Sequence, residues 1–172
     1  VMTMPALLDD VLATVGASVD ELVPMTRLDP GYRSHFADGS TIDTRASLED
    51  MRAEIERKSG PRDAQQFDPF VDWLRRLNDV EMAHFIDRTY DSVLDVFNPL
   101  SAGLDILKLG GTRRLGNAIS RYFQDDRLHR MFTFQALYAG MSPQRALAIY
   151  AVITYMDSIS GVWHPRGGMG AV

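Results

Sequence analysis

The sequence contains no cysteine. Disulfide bonds, thiolate nucleophiles and zinc sites built on sulfur ligands are therefore excluded. The absence of cysteine is also typical of proteins that work in a reducing compartment, so we expect a cytoplasmic location.

Long apolar runs are missing too. No stretch approaches the ~20 residues that a helix needs to span a bilayer, and the N-terminal residues do not place a charged region before an apolar one. We expect neither a transmembrane helix nor a signal peptide, so any contact with a membrane would be peripheral.

An excess of positive charge is also lacking, since 18 Lys and Arg stand against 23 Asp and Glu, for a net charge of -5. We expect no nucleic-acid partner, because such binding relies on basic side chains that contact phosphates. Two interpretations stay open for a local cluster of basic residues: the solvated faces of helices, or a surface that touches anionic lipid headgroups. The cluster consists of Lys108, Arg113, Arg114, Arg121, Arg127 and Arg130.

Familiar catalytic and metal-binding motifs are absent. The sequence has no P-loop, no nucleophile elbow and no complete G-x-G-x-x-G, and Gly168-Met169-Gly170 is only a partial match. We expect no metal site, because the histidines lie in separate segments without ligand spacing such as H-x-x-x-H. They are His35, His84, His129 and His164.

Two acidic residues stand among mostly apolar neighbours, Asp95 in DSVLDVF and Asp157 in YMDSISG. A buried carboxylate has a raised pKa and can act as an acid or a base. A solvated helix edge is the commoner state of such a residue, and we expect it for both.

What is present fits one globular domain. A chain of 172 residues can bury a sizeable core, and 45% hydrophobic with 24% charged residues is an ordinary globular composition.

The segment MPALLDDVLATVG predicts a short helix. Residues 22–44 then predict a three-stranded antiparallel meander, with turns at Asp29-Pro30-Gly31 and Asp38-Gly39.

From residue 46 to residue 158 the apolar spacing becomes helical. Ser47 with Asp50 predicts a capping box, and residues 61–90 predict a long amphipathic helix. Ser142-Pro143 predicts the start of a buried helix that is apolar on nearly every face. A short strand returns at 161–165, so the fold class is α+β: a small meander, a helical insertion at 46–158 and one returning strand of the same sheet.

Methionine and aromatic residues are frequent in MFTFQALYAGM and IYAVITYM. These segments could line a cavity for a long apolar ligand, but ordinary core packing explains them as well.

The block from Phe132 to Met169 carries several distinctive patterns: F-x-F-Q, then Y-x-G-x-x-P, A-x-x-Y, Y-M and G-V-x-x-P-R-G-G-M. It resembles the central block of the bacterial-type phytoene desaturases, also called phytoene dehydrogenases, which share a fold with the amine-oxidase-like flavoproteins. Weaker matches at LDPGYRSHFADGS, GPRDAQQFDPFVDW and VMTMPALLDDVL extend the resemblance over essentially the whole chain.

The resemblance implies an FAD-dependent oxidoreductase. Members remove hydrogen from adjacent saturated carbons of the C40 polyene phytoene, towards lycopene, and pass hydride to the flavin. The chain corresponds to the middle, substrate-binding part, so the family's G-x-G-x-x-G unit is expected before Val1 and another flavin-contacting segment after Val172. We therefore expect that this chain alone holds no FAD and is inactive.

The resemblance also implies partners and site residues. The partners are the lipophilic polyene and, by peripheral contact, the inner face of the membrane; the oligomeric state stays open. Val1, Met2, Thr3, Arg166, Gly167, Gly168 and Met169 match segments that contact the flavin. Phe134, Tyr138, Tyr150 and Tyr155 are candidates for lining the substrate tunnel.

Asp95 is the candidate catalytic acid, because members often have an acid at this position. The basic residue expected three positions later is Asn98 here. Two alternatives to a desaturase stay open: a related carotene isomerase or oxygenase, and a non-catalytic helical domain that binds a partner protein or a lipid surface.

Overall fold

The computed structural model describes residues 1–86, 89 and 100–172. Its strands are β1 (Met25–Arg27), β2 (Tyr32–His35), β3 (Thr41–Thr44) and β4 (Trp163–Pro165). Its α-helices are α1 (Pro5–Ala13), α2 (Val19–Leu22), α3 (Leu48–Ser59), α4 (Pro61–Glu81), α5 (Leu100–Lys108), α6 (Leu115–Ile119), α7 (Asp126–Met131) and α8 (Ala151–Thr154). A few short strands beside many helices confirm the predicted α+β class.

The chain divides into two compact units. The sheet unit comprises Val1–Lys58 and Met156–Val172, and the helical unit comprises Ser59–Tyr155. In the described part of the chain, no helix is both long enough and apolar enough to cross a membrane.

The strands of the sheet unit form two antiparallel pairs. β2 pairs with β3, so that Tyr32 lies opposite Thr44, and β1 pairs with β4, so that Thr26 lies opposite His164. The prediction of one three-stranded meander was therefore wrong in its pairing, because β1 joins the returning strand and not β2.

The turn at residues 29–31 explains this pairing. On one side of the turn Leu28 N donates to Val162 O over 2.9 Å, and on the other Gly31 N donates to Thr44 O over 2.8 Å. The Asp29 carboxylate accepts from the backbone N of Ala46 over 3.1 Å, which ties the turn to the end of β3. The turn thus separates two sheets where the sequence pattern predicted a link within one.

Helix α3 begins as its sequence predicts. Ser47 Oγ accepts a hydrogen bond from Asp50 N over 3.0 Å, as expected of an N-cap, and it donates to the Asp50 carboxylate over 2.6 Å. The apolar face of α3 buries Met51 and Ile55, and Ile42 of β3 is fully buried as well. These side chains belong to the core of the sheet unit.

In the helical unit, α4 supplies the central core element. Its apolar residues recur at helical spacing and are 0–2% exposed; they are Phe67, Phe70, Val71, Leu74 and Leu77. The Phe70 ring lies 5.0 Å from the Phe123 ring and 4.9 Å from the Phe132 ring, centroid to centroid. Burying one such side chain contributes about 1.5–3 kcal/mol, so this cluster is a main source of stability for the unit.

The buried helix predicted from Ser142 is interrupted. Only α8 is α-helical there, and it is preceded by a 3-10 turn (Ala148–Tyr150) and followed by a π-helical turn (Tyr155–Ile159). The reason lies in backbone pairing, because Leu115 N donates to Ala146 O over 2.9 Å and Ala148 N donates to Arg113 O over 2.7 Å. These bonds hold residues 146–148 in an extended path, which apolar content alone does not reveal.

Candidate functional site

Strand β4 has a backbone neighbour on each edge. One edge pairs with β1, and on the other Met2 forms an antiparallel bridge with Trp163. In this bridge Met2 N donates to Trp163 O over 2.7 Å, and Trp163 N donates to Met2 O over 2.8 Å. The structure thus places Val1–Thr3 beside the strand that leads directly into Arg166–Met169, and these are the two segments predicted to contact the flavin.

A tight turn follows β4. Gly168 N donates to Pro165 O over 3.0 Å, which closes the turn, and Arg166 N donates to Pro24 O over 2.8 Å, which anchors it. Gly167 and Gly168 have φ angles of 89° and 80°. Side chains with a Cβ rarely adopt such angles, so both positions need glycine for the backbone to follow this path.

The outer side of this glycine turn is open. A Cβ added at Gly168 or Gly170 would have no atom of the described residues within 4 Å. Arg166, Gly167 and Met169 are exposed as well. A ligand atom can therefore lie against the backbone of Gly168 or Gly170 without displacing a described atom.

Arg27 holds the segment that enters β4. Its guanidinium lies 5.9 Å above the Trp163 ring and donates to Ile159 O over 3.3 Å. Gly161 has a φ of 111°, and an added Cβ there would lie 2.5 Å from Arg27 Nε. Glycine at this position lets the guanidinium pack against the backbone, which fixes the start of β4.

A chain of hydrogen-bonded polar groups in the sheet unit leads from the half-buried Tyr32 to two buried residues. Asp157 and Ser158 are 6% and 5% exposed, on the π-helical turn. Ser158 Oγ donates to the Asp157 carboxylate over 2.7 Å. Because the hydroxyl has one proton, the Tyr32 hydroxyl donates in its hydrogen bond with Ser158 Oγ.

The expectation of a solvated Asp157 was therefore wrong. The hydrogen bonds stabilise a polar group that the π-helical turn brings inside, and such turns are frequent at functional sites. Sequence reasoning missed Tyr32 and Ser158, although Tyr32 belongs to the Y-R pair of the quoted LDPGYR segment.

The predicted substrate residues all lie in the helical unit. Phe134 and Tyr138 share one 3-10 turn (Phe134–Ala139), where their rings pack edge to face with centroids 6.0 Å apart, and Tyr138 is 65% exposed. Tyr150 and Tyr155 are half-buried and flank the two ends of α8, which packs against this 3-10 turn. Their role in substrate binding stays a prediction.

Two further acidic residues, Asp95 and Glu81, bear on the candidate site. Asp95 lies outside the described residues, as does Asn98, so the candidate catalytic acid stays a prediction. Glu81, at the end of α4, was not singled out from the sequence. It is 5% exposed, and burial raises the pKa of its carboxyl to about 8.

The match to a protein family covers nearly the whole chain. Residues 5–172 match the model for flavin containing amine oxidoreductases. The chain belongs to this family. This match confirms the expected membership in the amine-oxidase-like flavoproteins. The members of the family are flavin-containing oxidoreductases.

The curated relatives of this family member act on carotenoids, by their names. The chain is 46% identical to a phytoene dehydrogenase from Streptomyces griseus. The alignment spans 172 residues, which are all of this chain and 34% of that protein. The chain is 30% identical to a zeta-carotene-forming phytoene desaturase from Myxococcus xanthus, over all of this chain and 33% of that protein. A 4,4'-diapolycopene oxygenase from Methylomonas sp is 28% identical, over 98% of this chain and 34% of that protein.

The chain spans about a third of the length of these relatives. Its open glycine turn and the neighbouring Met2 bridge fit a flat cofactor that approaches the backbone, because no described side chain blocks Gly168 or Gly170.

Proposed function

We propose that this chain is part of an FAD-dependent phytoene desaturase of carotenoid biosynthesis. The observation that carries the proposal is the bridge between Met2 and Trp163 beside the open glycine turn. This bridge joins the two segments that the family resemblance assigns to the flavin. The identity of 46% to a phytoene dehydrogenase supports the same assignment.

In this proposal the sheet unit forms one wall of the flavin site. The backbone of Arg166–Met169 contacts the cofactor, and the hydrogen bonds from Arg166 to Pro24 and from Gly168 to Pro165 hold that backbone in place. When bound, FAD supplies the acceptor for the hydride that leaves the polyene.

The helical unit binds the substrate in this proposal. Phe134, Tyr138, Tyr150 and Tyr155 offer aromatic surface to a C40 polyene and exclude water from it. Tyr138 and its neighbour Leu137 are 65% and 64% exposed, which supports contact with something apolar outside the described residues. Each new double bond would form as two hydrogens leave adjacent carbons, one as hydride to the bound FAD and one as a proton to a basic group.

We further propose that the full-length protein works at the cytoplasmic face of the membrane, through peripheral contact. Phytoene dissolves in lipid, so the enzyme must collect it at a lipid surface. Exposed leucines of α5 support such contact, since Leu104 and Leu107 are 56% and 54% exposed.

The full-length protein tests this function when it is expressed with phytoene. We expect coloured products with longer conjugation, identified by absorption spectrum and by a mass lower by two hydrogens per step. Unchanged phytoene in the presence of folded, FAD-loaded protein would overturn the assignment.

A related oxygenase is a second candidate, because the Methylomonas relative is named as one. Supplying both phytoene and a desaturated carotene separates the two functions. A product that has gained oxygen in place of losing hydrogen would favour the oxygenase, and a product of unchanged mass would indicate an isomerase.

A further inference from the structure

The helical unit contains a cavity with a strongly basic rim. The cavity has a volume of about 280 Å³, and its lining includes Trp73, Arg76, Lys108, Arg113, Arg121 and Tyr122. No acidic residue is among the described residues that line it. Four cationic side chains thus surround one small space.

The basic residues that cluster in the sequence fall into two groups in the structure. Some form an ion pair or a hydrogen bond within the described residues, and others form no ion pair there. Arg127 pairs with Asp125 over 2.7 Å, and Arg130 pairs with Asp126 over 2.6 Å. Arg114 donates to Arg145 O over 2.6 Å. These three are accounted for by contacts within the protein.

The arginines that line the cavity differ from the two ion-paired arginines of the cluster. Within the part of the chain that the structure describes, Arg76, Arg113 and Arg121 form no ion pair, and only Lys108 has one, to the half-exposed Asp105 over 2.9 Å. Three exposed guanidinium groups without an ion pair give the rim of this cavity an excess of positive charge, which an anion would neutralise.

The local backbone presents Arg113 to the cavity. Arg113 N donates to Gly110 O over 2.9 Å, which closes a turn after α5. Gly110 has a φ of 76°, and an added Cβ would lie 3.3 Å from Arg113 Cδ. Glycine at this position therefore permits both the turn and the close packing of the arginine stem.

An aromatic wall completes the cavity. The Trp73 and Tyr122 rings lie 5.8 Å apart, and Trp73 Nε1 donates to Leu109 O over 2.9 Å, which fixes the indole. Burial raises the pKa of the Tyr122 hydroxyl, while the charges of Arg121 and Arg76 oppose that rise, so both guanidinium groups act on this wall.

We propose that this cavity binds a phosphate group. Arginine forks match phosphate oxygens in pairs, and the volume lies near the ~300 Å³ at which small-ligand sites begin, so a headgroup or a small phosphate fits and a whole lipid does not. The phosphate can belong to an anionic lipid or to a soluble metabolite. The exposed leucines of α5 favour the lipid, because they precede Lys108 on the same helix. The site is independent of the proposed desaturation.

The test uses the full-length protein with two probes, vesicles and soluble phosphate. Sedimentation is compared between vesicles of phosphatidylcholine alone and vesicles that also contain phosphatidylglycerol, and inorganic pyrophosphate is titrated by calorimetry. The variant R113Q/R121Q removes two cavity charges. The control R62Q/R75Q removes two charges of the same unit that are exposed like Arg113 and Arg121 but do not line the cavity, and one of them, Arg75, pairs with Asp72 over 2.8 Å.

We expect R113Q/R121Q to lose at least tenfold in affinity for the probe that binds, and R62Q/R75Q to stay within about twofold of the original protein. Binding to phosphatidylglycerol vesicles without pyrophosphate binding identifies a lipid headgroup. Pyrophosphate binding in the cavity identifies a soluble phosphate. The proposal is wrong if neither probe binds, or if both double variants lose affinity equally, since general surface charge would then explain the binding.

A charge-preserving variant sharpens the result. R113K/R121K keeps the net charge but removes the paired guanidinium hydrogen bonds, so a phosphate site should still lose severalfold in affinity. Full retention by this variant would contradict a shaped phosphate site. Far-ultraviolet circular dichroism and the melting temperature establish that each variant is folded.

Discussion

Met2 and Trp163 exchange both of their backbone hydrogen bonds, over 2.7 and 2.8 Å, although they stand near opposite ends of the chain. This bridge covers the edge of β4 that β1 leaves open. The glycine turn that follows β4 therefore begins from a strand held on both sides. An exposed turn that follows such a strand is suited to present its backbone to a flat ligand.

The conformation of Gly168 leads to a first prediction. Its φ of 80° and ψ of -175° belong to a region that only glycine adopts readily. We expect Gly168→Ala to lower the free energy of unfolding by about 1–3 kcal/mol through backbone strain alone. Chemical denaturation of the full-length protein measures this loss, and its FAD content per protein should fall as well.

Gly170→Ala is the matched control for this change. Gly170 lies two residues away, has no positive φ and has open space where a Cβ would be added. Its variant should unfold within about 0.5 kcal/mol of the original protein. Equal losses in both variants would show that strain at Gly168 is not the cause.

Local signals in the sequence were sufficient for the hairpin and for the start of α3. Asp38-Gly39 predicted a turn, and Gly39 has a φ of 82° between β2 and β3. Ser47 and Asp50 predicted a cap that the structure contains. Turn and cap chemistry depends on neighbouring residues only, which explains why it could be predicted.

Pairings between distant segments could not be predicted in this way. The strand β1 has an ordinary strand pattern, and nothing in it indicates β4 as its partner. The extended path of residues 146–148 depends on donors and acceptors at residues 113–115. Apolar periodicity records burial but not the backbone partner, so an apolar run was interpreted as one helix.

The sequence likewise indicated one part of the candidate site and missed another. The family resemblance pointed to both segments that meet at β4, through the distinctive motifs of the block from Phe132 to Met169 and through the weaker match of VMTMPALLDDVL; their contact with the flavin stays a prediction. The buried chain from Tyr32 through Ser158 to Asp157 was missed, since a tyrosine and a serine in separate segments carry no signal until the fold joins them.

Tyr32→Phe tests the energy of that buried chain. The change removes the O–H that donates to Ser158 Oγ and leaves the ring in place. We expect a loss of about 1–2 kcal/mol in the free energy of unfolding, because a buried acceptor loses its donor. Tyr150→Phe, also half-buried, serves as the control and should change stability by less than about 0.5 kcal/mol. No difference between the two variants would contradict the assigned hydrogen bond.

Asp63 links the first turn of α4 to the chain before α7. Its two carboxylate oxygens accept from Gln124 N and Asp125 N, each over 2.9 Å, and the residue is 2% exposed. In Asp63→Asn one of these oxygens becomes an amide donor that faces a backbone donor. We expect a loss of about 2–3 kcal/mol, because a buried N–H stays unsatisfied.

Thermal and urea unfolding of Asp63→Asn measure this effect. Asp79→Asn changes an exposed acid on the same helix and should stay within about 0.5 kcal/mol of the original protein. A stability of Asp63→Asn equal to that of Asp79→Asn would mean that the two backbone hydrogen bonds contribute little.

Glu81 should make the stability of the protein depend on pH. Burial raises the pKa of its carboxyl from 4.5 to about 8 in the folded state, and Oε1 has no hydrogen-bond partner among the described residues. The folded state therefore favours the protonated form. The stability contributed by that form is complete below pH 4.5 and is lost as the pH rises towards 8, after which the loss levels off.

Glu81→Gln removes this dependence, since the amide is neutral at every pH. We expect the variant to exceed the original protein in unfolding free energy by a growing margin between pH 5 and pH 8, reaching the order of a few kcal/mol. Urea unfolding at a series of pH values measures the difference, and Glu56→Gln, an exposed acid of α3, is the control. A constant difference between Glu81→Gln and the original protein across that range would show that Glu81 is ionised in the fold, and a charged partner would then have to be found for it.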